Sequence, residues 1–454
     1  MRRYDSYKDS EIEGLGDIPE HWEVLRIKDI ATVRGRVGWK ALKASEYIDS
    51  GYFFLATPNI KNKEIDYINV NYINHHRYTE SPEIMLNEGD VLLVKDGSTL
   101  GIVNIVQDLP SKGTVNSSIA VLRLKREFNK FIYYLLTSEF IQNSISLKKE
   151  GMGVPHLFQK DINNFKLLLP TLNEQTQITN YLDTKTKVID KKTILLEQKI
   201  LKYKELRKSI INNAVTKGLD KDVKLKDSGI DCIGEIPEHW EVKRIKELGT
   251  VETSSVNKKI EENESLVKLV NYMDVYNNLT KEIYNDDNFM TVSAKSNQVI
   301  EKKLKKGDVL FTPSSETIED IGVSSVVMEN LKNTVYSYHI LRLRFSKIID
   351  DKFKKYMLNN DFVQLYFSKS SKGTTRKILG LNVFYNLEVL IPPLKEQKQI
   401  VEFLEKTTIT IDSMIQNIEK QIVVLAELRK TLINDVVTGK LRVFEPVENC
   451  VLNN

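Results

Sequence analysis

The chain has 454 residues, of which 41% are hydrophobic, 28% are charged and 8% are aromatic, and its net charge is +4. This composition excludes a disordered or fibrous protein, and the length predicts two to four domains because one hydrophobic core rarely serves more than about 300 residues. The apolar runs are too short to span a bilayer, no secretory signal is visible, and two cysteines fit a reducing compartment. We therefore expect a cytoplasmic protein with no membrane part.

The first feature along the chain is a duplication. Residues 16–33 read GDIPEHWEVLRIKDIATV, and residues 234–251 read GEIPEHWEVKRIKELGTV. The offset grows only from 218 (234 less 16) to 222 (391 less 169) along the chain. At the larger offset, LPTLNEQTQITNYL (169–182) lies over IPPLKEQKQIVEFL (391–404), and ELRKSIINNAVTKGL (205–219) lies over ELRKTLINDVVTGKL (427–441). A register kept over most of each half indicates one module written twice.

Each module begins with a globular part, which we assign to residues 1–169 and 220–391. Short β-rich runs alternate there with turn residues. Residues 90–106 predict two strands around a turn at Asp96-Gly97, 114–125 predict another strand, and 129–147 predict a helix. The pattern is typical of an α+β domain.

Each module ends in a predicted long helix, within residues 170–219 and 392–441, and a tail follows at 442–454. Apolar residues recur every seven positions, which indicates a seam that packs along another helix. The seam residues are Leu182, Ile189, Leu196, Tyr203 and Ile210 in the first helix, and Leu404, Ile411, Ile418, Leu425 and Leu432 in the second. The predicted fold is therefore a tandem duplication of a β-rich globule followed by a long α-helix, with the two helices packed as an antiparallel coiled coil.

One alternative stays open for these helices. Each could fold back on its own globule if the helix broke near Thr184–Thr186 or Thr407–Thr410.

The sequence contains none of the motifs that would indicate catalysis. It has no phosphate-binding P-loop, no dinucleotide fingerprint and no histidine pair at metal-ligand spacing. His21 and His239 each precede a tryptophan in the repeated motif, which favours packing or capping over chemistry. We expect a non-catalytic recognition protein without metal or cofactor.

The repeated motifs resemble the DNA-specificity subunit of type I restriction-modification systems. The motifs that carry the resemblance are IPEHWEV near the start of each module, then LPTLNEQTQI or IPPLKEQKQI, then a helix ending in ELRKSIINNAVTKGL or ELRKTLINDVVTGKL. The resemblance implies two target-recognition domains that read a bipartite, asymmetric site on double-stranded DNA. It also implies two methyltransferase subunits docked on the helices and restriction subunits that act as motor and nuclease. Adenine methylation and ATP-dependent cleavage would belong to those partners, and the specificity subunit would bind no cofactor.

Candidate DNA contacts are the basic and polar residues of segments where the two modules differ, because a shared scaffold needs dissimilar loops to read different bases. Further candidates lie in a glycine-hinged basic loop that both modules share, residues 148–156 and 370–377, which we call the glycine loop. Arginine suits guanine, and lysine suits phosphate. The first-domain candidates are Arg34, Arg36, Trp39, Lys40, Lys43, Lys95, Lys149 and His156; the second-domain candidates are Thr312, Ser314, Lys372, Arg376 and Lys377. The alternative for the 34–47 segment is a solvated basic loop with a core tryptophan.

Two other functions compete with DNA recognition. The chain could be a tandem adaptor scaffold for proteins, or a stand-alone DNA-modifying enzyme whose site has no familiar motif. Salt-dependent binding to duplex DNA would favour the specificity subunit over the adaptor. Activity of the isolated chain on DNA would establish the enzyme.

Overall fold

The computed structural model describes residues 3–35, 42–125, 129–148 and 155–443. Packing divides the chain into two compact units. Unit 1 comprises Met1–Leu196 with Glu419–Asn454, and unit 2 comprises Glu197–Ile418. Each unit therefore contains one globular domain, the first half of the helix that follows it and the second half of the other long helix.

The first module contains eleven described strands, six α-helices and three short 3-10 helices (Ala44–Glu46, Thr57–Asn59 and Pro82–Ile84). The strands are β1 (Tyr7–Asp9), β2 (Asp17–Pro19), β3 (Glu23–Arg26), β4 (Ala31–Arg34), β5 (Tyr52–Leu55), β6 (Asn71–Ile73), β7 (Val91–Val94), β8 (Val103–Ile105), β9 (Gly113–Val115), β10 (Ile119–Leu124) and β11 (Lys166–Leu169). The helices are α1 (Ile27–Ile30), α2 (His75–Thr79), α3 (Asn129–Thr137), α4 (Glu139–Lys148), α5 (Gln159–Asn164) and the long α6 (Leu172–Lys217).

The second module repeats this order with fourteen described strands and seven α-helices. The strands are β12 (Leu225–Asp227), β13 (Glu235–Pro237), β14 (Glu241–Arg244), β15 (Gly249–Thr253), β16 (Ser265–Val270), β17 (Glu282–Ile283), β18 (Met290–Ala294), β19 (Val309–Phe311), β20 (Ser314–Ser315), β21 (Ser324–Val327), β22 (Thr334–Tyr336), β23 (Leu341–Phe345), β24 (Lys377–Ile378) and β25 (Glu388–Ile391). The helices are α7 (Ile245–Leu248), α8 (Tyr272–Tyr276), α9 (Ser296–Glu301), α10 (Asp351–Leu358), α11 (Asp361–Ser370), α12 (Leu381–Asn386) and the long α13 (Leu394–Val437).

A four-stranded antiparallel sheet, in the order β4-β10-β7-β8, forms the centre of the first domain. Strand β7 is buried on both faces, because Val91 and Leu93 enter one hydrophobic cluster while Leu92 and Val94 enter another. This explains why VLLV is an uninterrupted apolar run rather than an alternating one. The second domain uses the same plan, with a five-stranded sheet in the order β15-β23-β19-β21-β17.

Both domains also contain a three-stranded sheet, β6-β5-β9 in the first and β18-β16-β22 in the second. In each, the central strand pairs parallel with one neighbour and antiparallel with the other. The repeated topology confirms the α+β duplication inferred from the sequence.

One predicted strand of the first domain was wrong in detail. Residues 114–125 form two strands in different sheets, β9 and β10, because the chain turns between them. The predicted helical segment at 129–147 is present as two helices. They separate at Ser138, which is fully buried and whose hydroxyl donates to the carbonyl of Leu135 (2.6 Å) and accepts from the N–H of Ile141 (3.5 Å). Serine at an N-cap starts a new helix by satisfying such a free N–H group.

The long helices α6 and α13 are unbroken, so neither folds back at its threonine cluster. In unit 1, Asp190 of α6 forms an ion pair with Arg429 of α13 (3.3 Å). In unit 2, Arg207 of α6 forms an ion pair with Asp412 of α13 (2.9 Å). Residues before the ion pair in one helix pack against residues after it in the other: Leu182 shares a cluster with Val436 in unit 1, and Leu404 shares one with Ala214 in unit 2. The helix halves therefore pair antiparallel in both units.

Burial follows the heptad pattern. The ten seam residues named above are all buried or half-buried. In unit 1, Leu182 shares a cluster with Ile433 and Val436, and in unit 2 Leu404 shares a cluster with Ala214 and Val215. Each fully buried leucine contributes about 1.5–3 kcal/mol. The ion pairs are exposed or partly exposed and each contributes at most about 1 kcal/mol, so apolar packing holds the helix halves together.

Each domain is fixed to its helices by contacts that recur at the repeat offset. His21 binds Glu174 in the first turn of α6 (2.9 Å), and His239 binds Glu396 in the first turn of α13 (2.8 Å). The repeated His-Trp motif thus anchors the start of each long helix. Two further sets of equivalent pairs are Lys130–Asp183 with Lys352–Glu405, and Glu139–Lys430 with Asp361–Lys208.

Glycine ends each long helix for a steric reason. Gly218 and Gly439 both have positive φ (74° and 76°). A Cβ on Gly439 would lie 2.4 Å from the side chain of Pro19, and one on Gly218 would lie 2.9 Å from the carboxylate of Glu396. The positive φ favours glycine at both positions, and at Gly439 the ring of Pro19 also leaves no room for a side chain.

Candidate nucleic-acid interface

The tip of the β7-β8 hairpin and the end of the glycine loop meet in the first domain. The N–H of Gly97 donates to the carbonyl of Pro155 (3.0 Å), and the N–H of Leu157 donates to the carbonyl of Lys95 (2.9 Å). Asp96 and His156 therefore face each other across a short bridge. The sequence indicated these two segments separately, and the fold brings them together.

The second domain joins the equivalent segments in the same way. Ser314 pairs antiparallel with Ile378, Ser315 pairs with Lys377, and the N–H of Leu379 donates to the carbonyl of Pro313 (2.8 Å). The framework that presents the two segments is thus shared, while the side chains on it differ.

In the first domain the charges of this region are compensated internally. Asp96 accepts from Lys95 (3.1 Å) and contacts the Nδ1 atom of His156. The ring of His156 also packs edge-on against Phe158, with 4.5 Å between ring centroids. The side chains of Lys95 and His156 are therefore both held against one carboxylate.

In the second domain a small hairpin carries an exposed cation. Lys372 and Ile378 exchange two main-chain hydrogen bonds (3.0 and 2.9 Å), so residues 373–377 form a loop between them. Gly373 has a φ of 104°, and a Cβ there would lie 2.1 Å from the carbonyl oxygen of Arg376. Lys377 closes the loop by donating to the carbonyl of Gly373 (2.8 Å). Arg376 is exposed at the end of this hairpin.

One candidate contact requires correction. Thr312 is fully buried, and its hydroxyl donates to the carbonyl of Val323 (3.3 Å). Its side chain braces the base of the hairpin and is not presented to a ligand. Ser314 is half-buried, and its carbonyl accepts from the hydroxyl of Tyr272 (2.9 Å).

The remaining candidates fall in different places. Arg34 is exposed at the end of β4, and its neighbour Gly35 lies beside Lys95, with 3.8 Å between an added Cβ and the Lys95 Cε atom. Lys43 is exposed before a 3-10 turn, where its main-chain N–H donates to Glu46 (2.9 Å). Four further candidates, Arg36, Trp39, Lys40 and Lys149, lie outside the described residues.

The sequence analysis did not predict the aromatic turn that lies beside this hairpin. Ser337–Ile340 is a turn between β22 and β23, closed by a hydrogen bond from the N–H of Ile340 to the carbonyl of Ser337 (3.0 Å). It carries Tyr338 and His339, whose ring centroids are 3.9 Å apart. When the register of β10 on β7 in the first domain is aligned with that of β23 on β19 in the second, Ser118 occupies the position of His339. That difference inside a shared framework was a signal that could have been used.

A buried ion pair supports the central sheet in each domain. Arg123 binds Asp90 and Arg344 binds Asp308, each with a closest distance of 2.6 Å, and both aspartates are almost fully buried. Hydrogen bonding to Asp308 raises the pKa of Arg344. These arginines therefore belong to the framework and not to the variable surface.

Within the described ranges, no helix is long and apolar enough to cross a membrane.

Comparison with known proteins identifies the family. The sequence model described as the type I restriction modification DNA specificity domain matches residues 19–202 and again residues 237–423, which together make up most of the chain. The chain belongs to the type I DNA specificity family. Each matched stretch covers one globular domain and part of the long helix that follows it.

Relatives in this specificity family match over nearly their whole length. The chain is 26% identical over 453 residues to the type I restriction enzyme MjaVIII specificity subunit of Methanocaldococcus jannaschii, covering 98% of both chains. It is 22% identical over 456 residues to the EcoKI specificity subunit of Escherichia coli, covering 96% of this chain and 92% of that one.

Solved structures of the same family share the fold. A chain from a structure on the assembly and conformational transition of a type I system superposes with a TM-score of 0.70 at 16% identity, over 93% of this chain and 99% of that one. The HsdS subunit of Thermoanaerobacter tengcongensis superposes with a TM-score of 0.52 at 17% identity, over 94% and 100%.

Proposed function

We propose that this chain is the DNA-reading subunit of a type I restriction-modification complex and that it recognises a bipartite, asymmetric sequence in double-stranded DNA. The observation that carries the proposal is the pairing of hairpin tip and glycine loop in both domains, on one framework but with different side chains. A duplicated reader with diverged contacts suits a site with two different halves. Family membership argues against the adaptor and the stand-alone enzyme.

The proposed partners are two methyltransferase subunits, which would modify adenine, and restriction subunits, which would cleave unmodified DNA. Exposed apolar residues on the long helices support this docking. Val188, Leu195 and Val424 in unit 1, and Phe403 in unit 2, each immediately precede a seam residue and are 42–62% exposed. Each lies beside the seam on its own helix, where a partner helix would find apolar surface. In this proposal the complex works in the cytoplasm, and this chain performs no chemistry.

Binding to DNA should depend strongly on salt. The complex of this chain with its methyltransferase subunits should bind duplex DNA with an affinity that falls linearly on a logarithmic salt scale, because phosphate contacts release counterions. Six neutralised phosphates would give a slope of about −5. The measurement is the fluorescence anisotropy of labelled duplex DNA titrated with the complex at salt concentrations between 50 and 200 mM. The control follows the assembly of the same subunits without DNA over the same salt range. DNA binding that is insensitive to salt, or binding to a partner protein that is stronger than binding to DNA, would favour the adaptor.

A further inference from the structure

Resting on the proposed function, we propose that a cleft in the second domain, formed by Arg376, the Tyr338-His339 turn, Ser314 and Thr253, reads the base pairs of one half-site, and that Arg376 contacts a guanine. This goes beyond the proposed function because it assigns base recognition to specific side chains, three of which the sequence did not indicate.

The cleft lies where the hairpin tip and the glycine loop of the second domain meet. It has a volume of about 380 Å³, and Ile378 and Leu379 contribute apolar surface to it. Leu379 is buried, which gives the cleft a firm floor, while Tyr338 remains 49% exposed at its edge. Of the described residues that line this cleft, Arg376 is the one with a full charge at neutral pH. An acceptor-rich ligand such as the edge of a guanine suits this lining.

The side chain of Arg376 is exposed, and the fold of its loop does not depend on it. The loop that carries it is closed by main-chain bonds between Lys372 and Ile378 and by Lys377, so its position does not depend on its own side chain. Arginine contacts guanine O6 and N7 through two parallel hydrogen bonds, which is the commonest base-specific contact in protein–DNA complexes. The geometry of a tight, prebuilt hairpin also limits the entropy lost on binding.

The Tyr338-His339 turn adds polar and aromatic groups next to that arginine. Tyr338 is fixed at its main chain by donating to the carbonyl of Val256 (3.1 Å). Burial lowers the pKa of His339, and the nearby charges of Lys258 and Arg376 lower it further. A neutral imidazole offers one donor and one acceptor, which suits a base edge better than a phosphate. The exposed Lys258 near His339 could contact a phosphate of the DNA backbone in this arrangement.

The first domain provides the contrast that points to specificity rather than general affinity. Its equivalent positions hold Ser118 in place of His339, and Asp96 in place of Ser314. A surface that bound only phosphate would have no reason to exchange a carboxylate for a hydroxyl in the same framework. Different side chains on one scaffold are what two different half-sites require.

The test is the methylated motif made in cells by variants of this chain with its own methyltransferase subunits. Arg376→Lys keeps the charge but cannot form the two parallel bonds. We expect it to relax discrimination about 5- to 150-fold at one G·C position of one half-site, and to leave the other half-site unchanged. Tyr338→Ala combined with His339→Ala should relax the discrimination between bases at neighbouring positions of the same half-site.

Lys332→Ala is the matched control, because it removes an exposed charge before β22, at the end of that strand remote from the Tyr338 turn, and should leave the motif unchanged. The proposal would be overturned if the Arg376→Lys variant left the motif unaltered. It would also be overturned if that variant relaxed base discrimination in both half-sites, or at a position without guanine. The absence of a bipartite motif in the unmutated complex would instead contradict the proposed function. Since Arg376 is exposed, purified Arg376→Lys complex should show an unchanged melting temperature, which separates lost reading from lost folding.

Discussion

Exchanging residues 252–390 for the same region of another member of the specificity family is expected to replace one half-site and leave the other intact. The exchanged region contains the whole second-domain interface, including the Arg376 hairpin and the Tyr338 turn, and also the internal Arg344–Asp308 pair. Its polar contacts to the long helices are made chiefly by Lys352 and Asp361, and its apolar residues share one hydrophobic core with both helices, so the donor must supply equivalents. The expected readout is a hybrid methylated motif in the host genome.

The reciprocal exchange of residues 34–168 is the matched control, since it removes the first-domain interface at the same framework boundaries. It should change the half-site that the first exchange preserved. If either exchange alters both half-sites, the two domains do not read separately.

Lengthening both long helices by one heptad is expected to widen the spacer between the half-sites by about two to three base pairs. Repeating residues 192–198 (KTILLEQ) after Gln198, and residues 414–420 (MIQNIEK) after Lys420, preserves the seven-residue pattern. The insertion points are related by the 222-residue offset (420 less 198) and lie between the two inter-helix ion pairs. Seven helical residues add about 10.5 Å, which corresponds to about three base pairs along DNA.

A two-residue insertion at the same points provides the control. It turns the following part of each helix by about 200°, so the apolar seam no longer faces its partner. That variant should lose assembly, seen as a lower melting temperature and absence of methylation. A folded and active heptad variant with an unchanged spacer would show that the helices do not set the distance.

The long helices were readable from the sequence because their structure repeats every seven residues. Leu182 and Leu404 are fully buried as their positions predict, and the helices continue through Thr186 and Thr408, whose hydroxyl groups turn inward. The break at Ser138 was missed because apolar residues continue on both sides of it, and the only local signal was a serine before a glutamate. Strand pairings such as β5 with β9 join residues about sixty positions apart, and local patterns do not encode them.

The candidate interface could be predicted from the sequence only in part. The difference between the modules located the hairpin tips, and the alignment of Gly151 with Gly373 located the glycine loop. Neither predicted their contact, because Asp96 and His156 are sixty positions apart. Thr312 was misjudged because it begins the segment in which the hairpin tips differ, while it directly follows strand β19 and is itself fully buried. His339 was missed because it sits between shared framework strands, and only the fold brings it to Arg376.

In the proposed function, one chain reads two different half-sites through two domains. The decisive measurement is single-molecule sequencing of adenine methylation in cells that carry this chain and its methyltransferase subunits. We expect one asymmetric motif with two specified halves and a spacer of fixed length, and no methylation at that motif when this chain is deleted. A continuous or palindromic motif, or a motif that persists after deletion, would show that this chain does not read two different half-sites.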